Sequence, residues 1–216
     1  MKKSIIILII LSCFLTTDSY GQITVDSLQI KREFTTIESA LIDPSKVFRL
    51  NLSNKPLNFN DSIWSKFINL KYLNLSNDNL KTVPRGILNL KSLEVLDLSG
   101  NDFYVLPKGF SGLKNLREIY LNNEKNIKLP ETLEILSKMS NLRSLHLEND
   151  NLFSLPKEIK YLKNLKNLYL NSNKFITVPI QLRGLNHLQY LDLKGNPIKS
   201  SFPTEQNLNF GFKINL

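Results

Sequence analysis

Tyr120, His146 and Tyr169 are the side chains of this chain best suited to recognition chemistry, and their spacing is regular. Tyr120 stands 26 residues before His146, which stands 23 before Tyr169. A phenol combines a large apolar ring with a polar tip, and imidazole changes charge close to neutral pH. With Glu118, Arg143, Tyr72 and Tyr190 they form a set fit to hold a partner without covalent chemistry. Catalysis has far less to draw on. His146 and His187 are the only histidines, and neither has Cys or His neighbours at metal-ligand spacing. The eight glycines are scattered singly, so no phosphate-binding loop can form. No catalytic residue, cofactor or metal site is therefore expected.

The elements that must position these residues follow from a repeat. With Leu70 as position one, Leu73, Leu75 and Leu80 fall at positions four, six and eleven, and Val83-Pro84 at fourteen and fifteen. A step of 23 residues restarts the series at Leu93, with Leu96, Leu98, Phe103, Leu106-Pro107, Phe110 and Leu113. Further copies start at Leu116, Leu142, Leu165 and Leu188, and a degenerate first copy starts at Val47. Alternation such as Leu96-Asp97-Leu98 describes a short strand with one buried face. One such strand cannot bury its apolar side, whereas stacked copies bury it as a column. Seven strands about 4.8 Å apart make a wall roughly 30 Å across.

This pattern resembles the leucine-rich-repeat family, in particular the 23-residue bacterial-type repeat with a Leu-Pro pair after the turn. The resemblance covers residues 47–201 and the region just after them. It implies an α/β solenoid, a horseshoe with a parallel concave sheet of about seven strands and short helical or 3-10 segments on the convex side. It also implies a binding module rather than an enzyme. Many extracellular members have cysteine-clamped end caps, and this chain departs from them.

Local chemistry fills in the coil. Position nine reads Asn101, Asn173 and Asn196, with Asp78 and Asp150 in two other copies. An amide there both donates and accepts, so it can satisfy backbone groups of adjacent coils; an ionised Asp only accepts. Those two copies should be less completely satisfied, and Lys55 and Glu124 should give looser turns. Pro84, Pro107, Pro130, Pro156 and Pro179 suit the first turn of outer helical segments. The copy from Leu116 to Leu142 is 26 residues long, and Leu133, Leu136 and Met139 point to a longer outer helix there. Residues 22–46 read as an N-terminal cap with a helix near Ile37, opened by Thr35 or Thr36 and stopped at Asp43-Pro44. In residues 202–216, Phe202, Phe210, Phe212, Ile214 and Leu216 read as a C-terminal cap, with partner binding as the other use of that aromatic tail.

Residues 1–21 carry a basic start (Lys2, Lys3), an apolar run over 5–11 and small residues at Ser19 and Gly21. That is the pattern of a signal peptide cleaved before Gln22, and the run is too short to span a bilayer. Ile10-Leu11-Ser12-Cys13 is the competing reading, a lipoprotein box that would acylate Cys13, the chain's only cysteine. Cleavage before Gln22 leaves no thiol and no disulfide. The charge of +9 becomes +8 without Lys2, Lys3 and Asp18. Its lysines are interleaved with acids, as on a solvated face, so nucleic acid is not an expected partner.

Positions two, three, five, seven and eight line the concave wall. In-register stacking makes Tyr120, His146 and Tyr169 neighbours at position five, flanked by Glu118, Arg117, Arg143, Glu148 and Lys166. The expectation is an exported, secreted or cell-envelope protein that binds another protein through this face, with Lys108 and Lys160 on the convex side as controls. The alternative is a structural envelope component binding glycan or anionic lipid.

Overall fold

The structure, a computed structural model, describes residues 32–124, 126–198 and 212–216. The signal-peptide cleavage site, Cys13, Phe202 and Phe210 lie outside the described residues. The strands are β1 (Glu33–Phe34), β2 (Arg49–Asn51), β3 (Tyr72–Asn74), β4 (Val95–Asp97) and β5 (Glu118–Tyr120). They continue as β6 (Ser144–His146), β7 (Asn167–Tyr169), β8 (Tyr190–Asp192) and β9 (Lys213–Asn215). All pair in parallel and in chain order, making one sheet of nine strands. The repeats supply β2 to β8. The two extra strands come from outside the repeats and cover the edges that a bare solenoid would leave open.

Register is strict. Leu50, Leu73, Leu96, Ile119, Leu145, Leu168 and Leu191 pair in succession, and all are fully buried. Each repeat strand, β2 to β8, is three residues long, so one buried leucine or isoleucine sits between two residues on the opposite face. The position-six leucines from Leu52 to Leu193 form a second buried column. Together they fuse the coils into one continuous core.

Seven coils turn at position eight with positive φ: Asn54, Asn77, Gly100, Asn123, Asn149, Ser172 and Gly195. Asn and Gly tolerate the left-handed region; at Gly100 (φ 68°) a Cβ would lie 2.0 Å from Asn77 Oδ1, so that side chain would have to move to admit one. Position eight is therefore the turn itself rather than part of the flat concave surface.

The outer segments are 3-10 turns at 61–66, 85–89, 108–112, 157–161 and 180–184. Pro84, Pro107, Pro156 and Pro179 each stand immediately before their turn, as its N-cap. Among the described residues, only in the 26-residue coil is the outer segment a true helix, α2 (Leu129–Leu136), with Pro130 in its first turn. Leu133 and Leu136 are fully buried, and Met139 nearly so. Ahead of the sheet, α1 (Ile37–Ala40) is capped by Thr36, whose hydroxyl accepts from the Ser39 amide at 3.2 Å. It is a single turn, shorter than the run to Ile42, and a 3-10 turn over Pro44–Lys46 follows. At the far end, Phe212 and Ile214 pack on the core while Leu216 stays 57% exposed.

Candidate partner-binding face

Strand register places Tyr120, His146 and Tyr169 side by side on β5, β6 and β7. Their rings form one stack. Tyr120 and His146 lie 3.8 Å apart at 17°, and His146 and Tyr169 4.1 Å apart at 6°. Tyr190 on β8 continues it at a tilt, 5.5 Å from Tyr169. Because the rings face one another along the sheet, they turn their edges and hydroxyls toward the concave space.

The imidazole is no exposed contact; it is 6% exposed, sandwiched between the two phenols. Both of its nitrogens reach carboxylates. Nε2 is 2.9 Å from Glu118 Oε1, and Nδ1 is 3.2 Å from Glu148 Oε1. Two acceptors at once require both nitrogens to donate, which is the imidazolium form. Burial works against that charge, but the hydrogen bonds to Glu118 and Glu148 outweigh it and leave the His146 pKa above its ordinary value. Glu118 also accepts from the Tyr120 hydroxyl at 2.8 Å. The bond from His146 holds the Glu118 carboxyl below its usual range against the opposing effect of burial. Burial, reinforced by Glu118, pushes the Tyr120 phenol well up. Tyr169 differs from its neighbour: its hydroxyl has no hydrogen-bond partner among the described residues.

The remaining sequence-derived candidates fall in two groups. Glu118 and Tyr190 join the stack. Arg143 and Tyr72 do not. Arg143 turns back onto its own chain, donating to the carbonyls of Ser140 at 2.7 Å and Leu142 at 3.0 Å. Tyr72 lies two strands before Tyr120, under the Arg49 guanidinium at 3.9 Å. His187 is exposed, and among the described residues no group of three His, Cys, Asp or Glu could hold a metal. A wide depression of about 970 Å³ lies on the outer side, between Thr82–Pro84 and Val105–Gly109, away from the stack.

Behind the turn runs a second column, at position nine. Asn101 donates to the carbonyls of Leu75 (2.8 Å) and Leu98 (2.6 Å) and accepts from the amides of Asp78 and Leu80. Asn173 repeats the arrangement with Leu147, Leu170, Asp150 and Leu152. Where Asp replaces Asn, Asp78 Oδ2 and Asp150 Oδ2 are buried without a hydrogen-bond partner. Glu124 does not loosen its turn, contrary to the sequence expectation. It is 4% exposed, accepts from the Asn101 amide, and leaves Oε2 unpartnered. The extra methylene of Glu lets it reach the column that Asn occupies in neighbouring coils. Burial raises all three acids, Asp78 to about 6, Asp150 to about 7 and Glu124 to about 8. Lys55, at the same position, stays exposed and donates its backbone amide to Asp78 at 2.9 Å.

Comparison with known proteins agrees with this architecture. Residues 45–143 match the family described as leucine-rich repeat region, and residues 140–198 match leucine rich repeat. A leucine-rich-repeat protein of Leptospira interrogans is 33% identical with a TM-score of 0.60, covering 78% of this chain and 48% of that one. Human 5T4, also titled Wnt-activated inhibitory factor 1 or trophoblast glycoprotein, is 28% identical with a TM-score of 0.61, covering 72% and 62%. Internalin C2 of Listeria monocytogenes shares the fold at 24% identity and a TM-score of 0.57, covering 79% and 72%. This chain thus spans about half the length of the Leptospira protein. No curated protein matches the sequence. The chain is a leucine-rich-repeat protein. Members of this family generally serve as protein-interaction scaffolds without catalysis, and no enzyme family matches. Among the described residues no helix is long and apolar enough to cross a membrane.

Proposed function

We propose that this is an exported, non-catalytic protein that binds another protein through its concave face, centred on Tyr120, His146 and Tyr169. The observation that carries the reading is the ring stack held rigid by Glu118 and Glu148. A preorganised aromatic surface loses little side-chain freedom on binding, and interface energy concentrates in such residues. His146 serves inside the stack as spacer and charge, while Tyr120 and Tyr169 make the contacts. Tyr169 brings a free hydroxyl to the partner, and Glu118 and Tyr190 extend the surface on either side. Ring faces used within the stack cannot also lie flat on sugar rings, which favours a protein over a glycan. Support for export is the basic and apolar pattern of residues 2–15 followed by Ser19-Tyr20-Gly21.

The test is affinity capture of a partner from the native secretome, followed by titration against variants. Tyr120→Ala and Tyr169→Ala should each weaken binding about thirtyfold, the equivalent of a hot-spot loss of about 2 kcal/mol. Lys160→Ala on the convex side should leave it unchanged. Loss of binding in the lysine variant with retention in both tyrosine variants would place the site on the other face.

A further inference from the structure

The concave stack is not the only row of large side chains that the register aligns. Position twelve, on the outer run after each turn, reads Tyr104, Ile127, Phe153 and Ile176 in four consecutive coils. These are not core residues. Tyr104 is 59% exposed, Phe153 70% and Ile176 54%, with Ile127 partly buried and Val105 beside Tyr104 at 38%. The coils are tied together along this run, since the Lys128 amide donates to the Tyr104 carbonyl at 2.7 Å and the Lys174 amide to the Leu152 carbonyl at 2.8 Å. With about 200 Å² per aromatic side chain, the row exposes on the order of 300–400 Å² of largely apolar surface, comparable to the largest patch of a typical monomer, which is often a functional one.

The charges around the row decide what it meets. Lys81 occupies position twelve in the preceding coil, and Lys128, Lys174 and Lys108 flank the row, all exposed. The Lys174 ammonium sits 5.1 Å from the centre of the Phe153 ring. Of the nearby acids, Asp102 is already held by Lys81 and Asn126, and Glu131 is the exposed exception. A second copy of the chain placed symmetrically on this face would bring lysines against lysines. A row of protruding apolar side chains needs a matching cavity in a protein partner, whereas a bilayer interface admits it without one. Phenylalanine, tyrosine and isoleucine beside lysines is the composition that anchors a protein at the headgroup level of an anionic membrane.

The geometry points to a second docking surface: the position-twelve row of Tyr104, Ile127, Phe153 and Ile176, with Lys128 and Lys174, seats the solenoid on an anionic lipid surface. It leaves the concave face open, so it does not depend on the partner-binding reading.

The test uses the full chain with phosphatidylcholine vesicles, with and without phosphatidylglycerol. A Phe153→Trp variant reports from the row itself, because the native Trp64 is 1% exposed and already shielded. Its emission should shift to the blue, and be quenched by brominated lipid, only when phosphatidylglycerol is present and salt is low. The triple variant Tyr104→Ser, Phe153→Ser, Ile176→Ser should lower vesicle partitioning at least about tenfold with unchanged thermal unfolding, since the residues are exposed. Lys128→Ala and Lys174→Ala should each lower it about fivefold. Comparing variants that share the same N-terminus removes any contribution of the apolar run at 5–11. An unshifted tryptophan, or equal partitioning by wild type and triple variant, overturns the proposal. So does a wild-type dimer in sedimentation that the triple variant converts to monomer, because the row would then be covered by a second copy.

Discussion

Asp150 occupies a position built for an amide, so Asp150→Asn should stabilise the protein, and by more at high pH than at low. In neighbouring coils the amide nitrogen of Asn101 or Asn173 donates twice to backbone carbonyls. The register places the carbonyls of Leu121 and Leu147 where an amide at 150 would find them. The carboxyl of Asp150 accepts from the Glu124 amide at 2.8 Å and leaves Oδ2 buried and unpartnered. Protonated, it supplies one donor; ionised, none. One added neutral hydrogen bond is worth about 1 kcal/mol net, which is the gain expected below about pH 4. Burial raises the Asp150 pKa from 3.8 to about 7, with the Glu124 amide opposing and the Glu148 charge adding to it. A folded-state pKa above the unfolded one means stability is present in full below about pH 4 and lost as pH rises through about 7. That shift corresponds to at most about 4 kcal/mol, and partial access to water reduces it to about 2–3. The advantage of Asp150→Asn should therefore grow from about 1 kcal/mol below pH 4, through about 2 at pH 5, to roughly 3–4 at pH 9. Urea unfolding followed by circular dichroism at pH 5, 7 and 9 measures it. A gain that does not change with pH, or a variant less stable than wild type at pH 9, would refute the idea that this carboxyl is held neutral.

Two further outcomes rest on the buried column and on the bracketed imidazole. Leu98 is fully buried and Leu98→Ala should cost about 2–5 kcal/mol, whereas Asp97→Ala loses only a turn bond to the Ser99 amide and should cost about 1; equal losses in chemical denaturation would mean the strand register is wrong. His146 should titrate above the ordinary histidine value of about 6.5, so its ionic bracket stabilises fully below that pH and is lost as pH rises through the elevated pKa. Proton NMR of the His146 ring gives the midpoint, and a value below 6.5 would show that burial overcomes the two carboxylates.

The coil was legible because its periodicity is long and strict. A leucine or isoleucine at positions four and six of every 23- or 26-residue copy can bury itself only by stacking, and stacking in turn makes position five a row. The neighbours Tyr120, His146 and Tyr169 follow from counting alone. Glu124 was misread because an acid at an amide position looks like a surface residue until the adjacent coils are known to close over it. Position eight carried its own signal, Asn or Gly in six of seven coils, and was assigned to the concave surface because strand alternation was extended past the point where the chain turns. The exposed row at position twelve was equally present in the text of the sequence, but an apolar residue in a repeat reads as core until its exposure is measured.

What the sequence determined by itself is the repeat, the parallel wall and the order of residues along each row, since these depend only on which positions recur. The tertiary structure decided the states of the individual groups. His146 is buried and bracketed because Glu118 comes from 28 residues earlier and the rings on either side exclude water. Two strands outside the repeats, β1 and β9, complete the sheet because its edges offer unpaired backbone groups to any segment within reach. Burial, protonation and edge pairing are properties of neighbours in space, and for most of these residues the deciding neighbour lies a full coil away.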